Sequence, residues 1–462
     1  MARAKEKSAY VCQECGADFP KWAGRCTECN AWNSLTEIRL PSTATSHTTG
    51  PAGVSGYAGG NPQITLLSEV RISETPRETT GLDELDRVLG GGLVEGSVIL
   101  IGGDPGIGKS TLLLQTLLLL QSRMPCLYVT GEESLQQVAL RAQRLDADMQ
   151  GKQGQLTLMS ETSVEAILAH CARQLPRLLV VDSIQTLHTE GLTAAPGSVS
   201  QLREGTAQLV RFAKRHEVTI FIVGHVTKEG ALAGPRVLEH MVDTVLYFEG
   251  DPGARFRVIR AVKNRFGAAN EIGVFAMTDR GLKPVSNPSA IFLSRHEQPV
   301  PGSVITVTRE GTRPLLVEVQ ALVAEHPGGN PKRLTVGLDQ NRLAMLLAVL
   351  HRHGQIALYD QDVFLNVVGG VRVTETAADL PSLIAILSSF RDRPLPDGLI
   401  VFGEVGLAGE IRPVTGGQER LFEAAKHGFT HAIVPKANLP ARPIEGLSIT
   451  AVSHINQALD LL

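Results

Sequence analysis

Aromatic side chains are scarce in this 462-residue chain, at 4% of positions, with two tryptophans. Aliphatic side chains must therefore supply most of the buried area. An excess of one charge is also missing: 44 Lys and Arg against 47 Asp and Glu give a formal net charge of −3. That balance excludes a uniformly basic nucleic-acid coat, so any DNA or RNA contact must come from local basic patches. The most apolar run, Leu112 to Leu120, is interrupted by Gln115 and Thr116 and is too short to span a bilayer. The opening Met-Ala-Arg-Ala-Lys-Glu-Lys-Ser has no apolar segment of the kind a signal peptide needs. Six cysteines in so long a chain make no disulfide scaffold. The expectation is a cytoplasmic protein with reduced thiols and no membrane association.

What is present points to a folded, multi-domain protein: 43% hydrophobic and 20% charged residues are ordinary globular values, and the length suits two to four domains. Cys12-x2-Cys15 and Cys26-x2-Cys29 form two CxxC knuckles ten residues apart. Four thiolates complete a tetrahedral Zn²⁺ site with no open position, so the metal is expected to be structural and not catalytic. A module this small has little core, and metal binding should supply most of its folding free energy. A redox CxxC pair is the competing reading, disfavoured by the presence of both knuckles. Cys126 and Cys171 fall on apolar stretches and read as packing residues.

Residues 1–35 are thus a four-cysteine zinc finger. Residues 36–63 read as a flexible linker, because 41–63 is nearly uncharged and rich in Ser, Thr, Gly and Pro. From 64 to 286, short apolar runs alternate with amphipathic stretches, the pattern of an α/β domain with a mostly parallel central sheet. Strands are predicted at Val98–Ile101, Cys126–Thr130, Leu178–Asp182 and Thr219–Gly224, and helices at Ser110–Arg123, Leu135–Leu145 and Val199–His216. The pattern fades around Pro284–Pro288, leaving 287–462 as a separate α+β domain. No tandem repeat is visible.

Residues 103–110, Gly103-Asp104-Pro105-Gly106-Ile107-Gly108-Lys109-Ser110, match G-x-x-x-x-G-K-[ST]. The glycines let backbone N–H groups wrap phosphates at the positive end of the helix that continues through Thr111. Lys109 would reach the β- and γ-phosphates and Ser110 would ligate Mg²⁺. A strand before the motif and a helix after it supply the context that a chance match lacks. Leu178–Asp182 ends an apolar strand in an acid, placing Asp182 to hold Mg²⁺ through water. The strand Cys126–Thr130 runs into Gly131-Glu132-Glu133, and one of these glutamates would polarise the attacking water, the other opening the next helix. His225, on the same sheet edge, is a candidate γ-phosphate sensor.

With these motifs in place, TGLDELDRVLGGGLVEGSVILIGGDPGIGKST (80–111), the zinc module before it and Lys263-Asn-Arg-Phe-Gly267 after it resemble the bacterial RadA (Sms) family across essentially the whole chain. The resemblance implies a RecA-like, DNA-stimulated ATPase using ATP and Mg²⁺. It also implies a homohexameric ring that moves along single-stranded and branched DNA, promotes branch migration beside a RecA-type recombinase, and joins the nucleoid when on DNA. It assigns Glu132 as the catalytic glutamate, and Lys263 and Arg265 as residues reaching the neighbouring subunit's nucleotide. Two loops, Leu187–Ser200 and Val226–Val237 with Lys228 and Arg236, correspond to the family's DNA-facing loops; neither has an aromatic, which favours backbone contact over base stacking. Arg255, Arg257, Arg260, Lys263 and Arg265 lie in a stretch without acids, and Arg257 and Arg260 are further DNA-contact candidates.

Residues from about 290 onward resemble the Lon protease domain, through Gly403-Glu-Val-Gly-Leu-Ala-Gly-Glu-Ile-Arg412 and Pro413–Gly417. Such a peptidase needs a Ser activated by a Lys. Alignment through the family's motif puts Ala377 at the nucleophile and Glu419 at the lysine, and Ser382 nearby has no lysine to activate it. Three readings compete with a DNA motor: an ATP-fuelled peptidase, a RecA-like signalling ATPase and a protein-recruiting ATPase. The missing dyad argues against the first, and the zinc module and Lon-like tail against the second. DNA stimulation of ATP turnover separates a motor from the third. The tail is expected to build the ring and add DNA-binding groups such as Lys332, Arg333 and Arg342.

Overall fold

The computed structural model describes residues 8–12, 17–19, 21–39, 76–145, 156–225, 237–250, 255–291, 293, 299–370 and 372–461. The chain divides into two compact units, residues 1–285 and 286–462. Cys15, Lys228, Arg236 and most of the expected linker lie outside the described residues.

In the cysteine module, Ser8–Cys12 pairs antiparallel with Asp18–Phe19 on one side and Leu35–Arg39 on the other. The third strand carries the folded module to Arg39, past the expected end at residue 35, because Ser8 pairs with Arg39. Its interior is small: Cys12, Cys26 and Leu35, with Tyr10, Ala17 and Phe19 packed against them.

The rest of the first unit is built on a nine-stranded sheet. Its spatial order is Gly281–Pro284, Ile272–Thr278, Phe256–Asn264, Thr244–Glu249, Val98–Gly102, Thr219–Val223, Leu178–Asp182, Cys126–Thr130 and Leu156–Ser160. The six strands from Thr244–Glu249 onward are parallel, and the other three continue antiparallel. Four of the parallel strands, VILIG, CLYVT, LLVVD and TIFIV, are buried along their whole length. Continuous apolar runs of this kind mark strands covered on both faces. Helices Asp83–Leu89, Lys109–Leu120 and Leu135–Leu145 contribute to the core on one face, and Val164–Arg173 and Val199–His216 to that on the other.

The second unit has a seven-stranded mixed sheet in the order Arg333–Val336, Gln361–Val367, Arg313–Glu325, Ser303–Glu310, Leu399–Val401, His431–Pro435 and Ser448–Val452. Helices Gln340–Gly354 and Asp379–Phe390 pack into one core and Gly417–Lys426 into another. Among the described residues, no helix is long and apolar enough to cross a membrane.

Candidate active site

The strand Val98–Gly102 ends in the turn 103–108, and Gly108, at φ 118°, starts the helix Lys109–Leu120. That left-handed backbone favours glycine, and it turns the first helical N–H groups toward the loop. Lys109 is buried; its ammonium donates to the Gly103 carbonyl at 2.7 Å and the Asp104 carbonyl at 2.9 Å. Burial lowers its pKa to about 8, against the opposing pull of Asp182, Asp104 and Glu132. An ammonium this poorly solvated gains from an arriving phosphate oxygen.

Parallel strands bring the remaining groups to the same edge. Thr130 lies beside Asp182, and Ile222 and Val223 in the next strand lead to His225. Tyr128, fully buried, donates its hydroxyl to Asp182 Oδ2 at 2.5 Å. Burial, reinforced by the Asp182 charge, raises the phenol's pKa, so it stays a donor and holds the carboxylate in one rotamer.

Lys109 Nζ lies 3.2 Å from His225 Nδ1, and His225 Nε2 lies 3.3 Å from Glu132 Oε1. Ser183 donates its hydroxyl to the same Glu132 oxygen at 2.5 Å. Gln185 donates to the His225 carbonyl at 3.3 Å. Lysine, histidine, glutamate and serine thus form one polar chain along the sheet edge. Glu133, by contrast, is ion-paired with Arg141 in the following helix.

The basic stretch 255–265 differs from expectation. Arg257 is buried and its Nε donates to the Ile107 carbonyl at 3.0 Å, bracing the turn 103–108, so its guanidinium does not stand on the surface where a DNA contact is expected. Arg260 forks onto Glu249 of the adjacent strand at 2.7 and 3.1 Å, which compensates the charge expected to face DNA. Lys263 donates to the carbonyls of Glu239 and Val242, both at 2.7 Å, and burial lowers its pKa. Arg265 is 59% exposed, with Nη1 3.7 Å from Asp243 Oδ1. Asp243 Oδ2 in turn accepts from the Val98 backbone N–H, so Arg265 lies at the start of the strand that ends in the phosphate loop. Five residues of strand at about 3.3 Å each, roughly 16 Å, separate the two ends. Gly267 and Gly90 pack backbone to backbone there: a Cβ on Gly267 would lie 2.8 Å from Gly90 Cα.

The loop Leu187–Ser200 is less free than its composition suggests. Gln201 donates to the carbonyls of Thr189, Leu192 and Ala194, and accepts from the Thr189 N–H. It carries no Lys or Arg.

In the cysteine module, the sulfurs of Cys12, Cys26 and Cys29 all lie within 4.8 Å of one another, with Cys12 and Cys29 3.6 Å apart. Tetrahedral Zn–S bonds of about 2.3 Å require sulfur separations of about 3.8 Å, so the three thiols fit the metal. In the second unit, Ala377 is buried, and Glu419 opens the helix Gly417–Lys426. Ser382 is buried and donates to the Ala378 carbonyl at 2.6 Å. Arg420 is fully buried and clamps Glu375 at 2.8 and 2.6 Å. Arg342 is tied to Asp379 and Arg333 to the carbonyls of Leu358 and Gln361, while Lys332 is exposed.

Sequence reasoning missed Tyr128 and Ser183. Both had a readable signal: Tyr128 is two residues before Thr130, the residue in register with Asp182, and Ser183 follows that acid directly.

Three segments match described families: residues 78–287 the ATPase KaiC, residues 10–37 a rubredoxin metal binding domain, and residues 340–438 the ChlI subunit of Mg-chelatase. The chain is 63% identical over 459 residues to a protein of Pseudomonas aeruginosa named DNA repair protein RadA, covering 99% of each. Proteins of the same name from Escherichia coli and Bacillus subtilis are 58% and 48% identical, covering 99% and 98% of their lengths and 100% and 99% of this chain.

Proposed function

The chain belongs to the RadA family of DNA repair proteins and carries its ATPase domain, and from that premise we propose that it is a DNA-dependent ATPase, a ring-shaped translocase that promotes branch migration during homologous recombination and repair. The observation that supports this reading is the placement of the groups we assign to catalysis at opposite ends of one sheet. Lys109, Asp182, Glu132 and His225 share the phosphate-loop end, whereas Arg265 stands exposed at the other. A guanidinium about 16 Å from its own phosphate loop cannot serve that nucleotide, so in this reading Arg265 serves another copy's. Turnover then depends on assembly, and a homohexamer supplies closed, repeating interfaces.

In this mechanism the turn 103–108 wraps the phosphates with backbone N–H groups. Lys109 exchanges its two carbonyl partners for β- and γ-phosphate oxygens. Ser110 and Asp182 would hold Mg²⁺, which neutralises phosphate charge when bound. Glu132 orients and deprotonates water as Ser183 fixes the carboxylate. His225, touching both Lys109 and Glu132, links phosphate occupancy to the base. Lys263, already holding two carbonyls, supports the turn that presents Arg265. Residues 226–236, with Lys228 and Arg236, carry the DNA contact; Leu187–Ser200 offers backbone and no cation. Cys12, Cys15, Cys26 and Cys29 would hold Zn²⁺, which joins knuckles that have little core of their own. The second unit serves assembly and not peptide hydrolysis, since the dyad positions carry Ala377 and Glu419.

The test is the steady-state ATPase rate with and without single-stranded DNA, for wild type and Lys109→Ala together. Strong stimulation in wild type that vanishes in the variant is expected. A wild-type rate indifferent to DNA overturns the motor reading and moves weight to a protein client or a signalling role.

A further inference from the structure

Both tryptophans of the chain stand on the surface of the cysteine module, Trp22 at 58% and Trp32 at 72% exposure. The module's interior is filled by Tyr10, Ala17, Phe19 and Leu35 around Cys12 and Cys26 and takes neither indole. In a small module short of apolar interior, two rings left in water are a lost opportunity for burial.

Their arrangement is specific. A Cβ on Gly24 would lie 3.8 Å from Trp22 Cη2 and 4.0 Å from Trp32 Cζ3, so the outer edges of both rings converge on one residue that has no side chain. Arg25 pairs with Trp32 through a β-bridge, and its guanidinium lies 5.7 Å from the ring centre. Its Nε donates to the Asn30 carbonyl at 3.2 Å, which fixes the guanidinium beside the ring. Lys21, exposed, precedes Trp22. Two exposed indoles, one beneath the Arg25 guanidinium and the other following Lys21 in sequence, offer a single strand rings for its bases and cations for its phosphates. The two loops assigned to DNA contain no aromatic, so neither competes with this module for stacked bases.

We propose that the cysteine module is a stacking platform for unpaired bases of single-stranded DNA, with Trp22 and Trp32 as the rings and Lys21 and Arg25 on the flanking phosphates. The proposal rests on the reading of the chain as a DNA-dependent ATPase and locates a DNA contact on that protein outside the ATPase sheet.

Tryptophan emission of the full chain reports on this module alone. Titration with oligo(dT) should quench it saturably, in step with the anisotropy of a labelled oligo(dT). Trp22→Ala and Trp32→Ala should each weaken binding at least about fivefold, and Trp→Phe less, since a phenyl ring still stacks. One bound zinc per chain in each variant confirms a folded module. Oligo(dT) bound with unchanged emission, or with unchanged affinity in the double alanine variant, overturns the proposal and leaves the DNA-dependent ATPase standing. If that variant keeps DNA affinity and DNA-stimulated turnover but loses a RecA-type recombinase, the rings dock a protein and the proposal also fails. Wild type showing neither DNA binding nor DNA stimulation sinks both readings.

Discussion

Glu132 and Glu133 are adjacent and chemically alike, and their partners alone separate them. Glu133 is committed to Arg141, a cation that holds the carboxylate toward the helix. Glu132 has Ser183 and His225, two neighbours that orient it without neutralising it by a permanent charge. A general base needs a free lone pair and a fixed direction. Glu132→Gln should therefore keep ATP affinity and lower kcat by roughly 10²–10⁴-fold, the ordinary range for a lost general base. Glu133→Gln should stay within about tenfold of wild type, because it removes half of a partly exposed ion pair. Single-turnover hydrolysis beside equilibrium nucleotide binding distinguishes the two, and equal losses of kcat would undo the assignment.

At the scale of the element, the strand Cys126–Thr130 joins stability to chemistry. Its middle residue, Tyr128, fixes Asp182, and its first, Cys126, is sealed in the core. Burial pushes the Cys126 thiol up to about 12 from 9.0. The folded state therefore keeps its proton where the unfolded chain releases it. That contribution is complete below pH 9 and declines as pH rises from 9 toward about 12. The thermal midpoint should fall across that alkaline window, and the fall should be shallower in Cys126→Ala; an identical pH slope in the variant would refute this account. This strand was fully legible in the sequence, as were the other buried runs, since an unbroken apolar stretch ending in an acid or a small-residue turn has few alternatives. The run 255–265 was not. Its charges are answered by Glu249 across the ladder and by the Ile107, Glu239 and Val242 carbonyls, partners set by register. The Leu187–Ser200 loop reads as flexible by composition, and a single glutamine outside it holds four of its backbone groups.

At the scale of the whole molecule, the proposed division of the site between two copies has a consequence that no single variant reveals. Lys109→Ala destroys a subunit's own phosphate site but leaves its Arg265 intact. Arg265→Ala does the reverse, sparing ATP binding while abolishing turnover. Each variant alone should be inactive. Mixed in equal amounts and allowed to exchange, they create interfaces in which the site of an Arg265→Ala subunit faces the arginine of a Lys109→Ala neighbour. With random assembly, about a quarter of interfaces are of that kind, so roughly a quarter of the DNA-stimulated ATPase rate should return if each interface fires independently. A ring whose subunits must fire in strict sequence would return far less, while still binding nucleotide at half its sites. Measuring the rate against mixing ratio separates these cases: independent interfaces give a parabola with its maximum at equal amounts, and a sequential ring gives a flat line near zero. Arg265→Ala hydrolysing ATP normally on its own would exclude any role for this arginine across the interface.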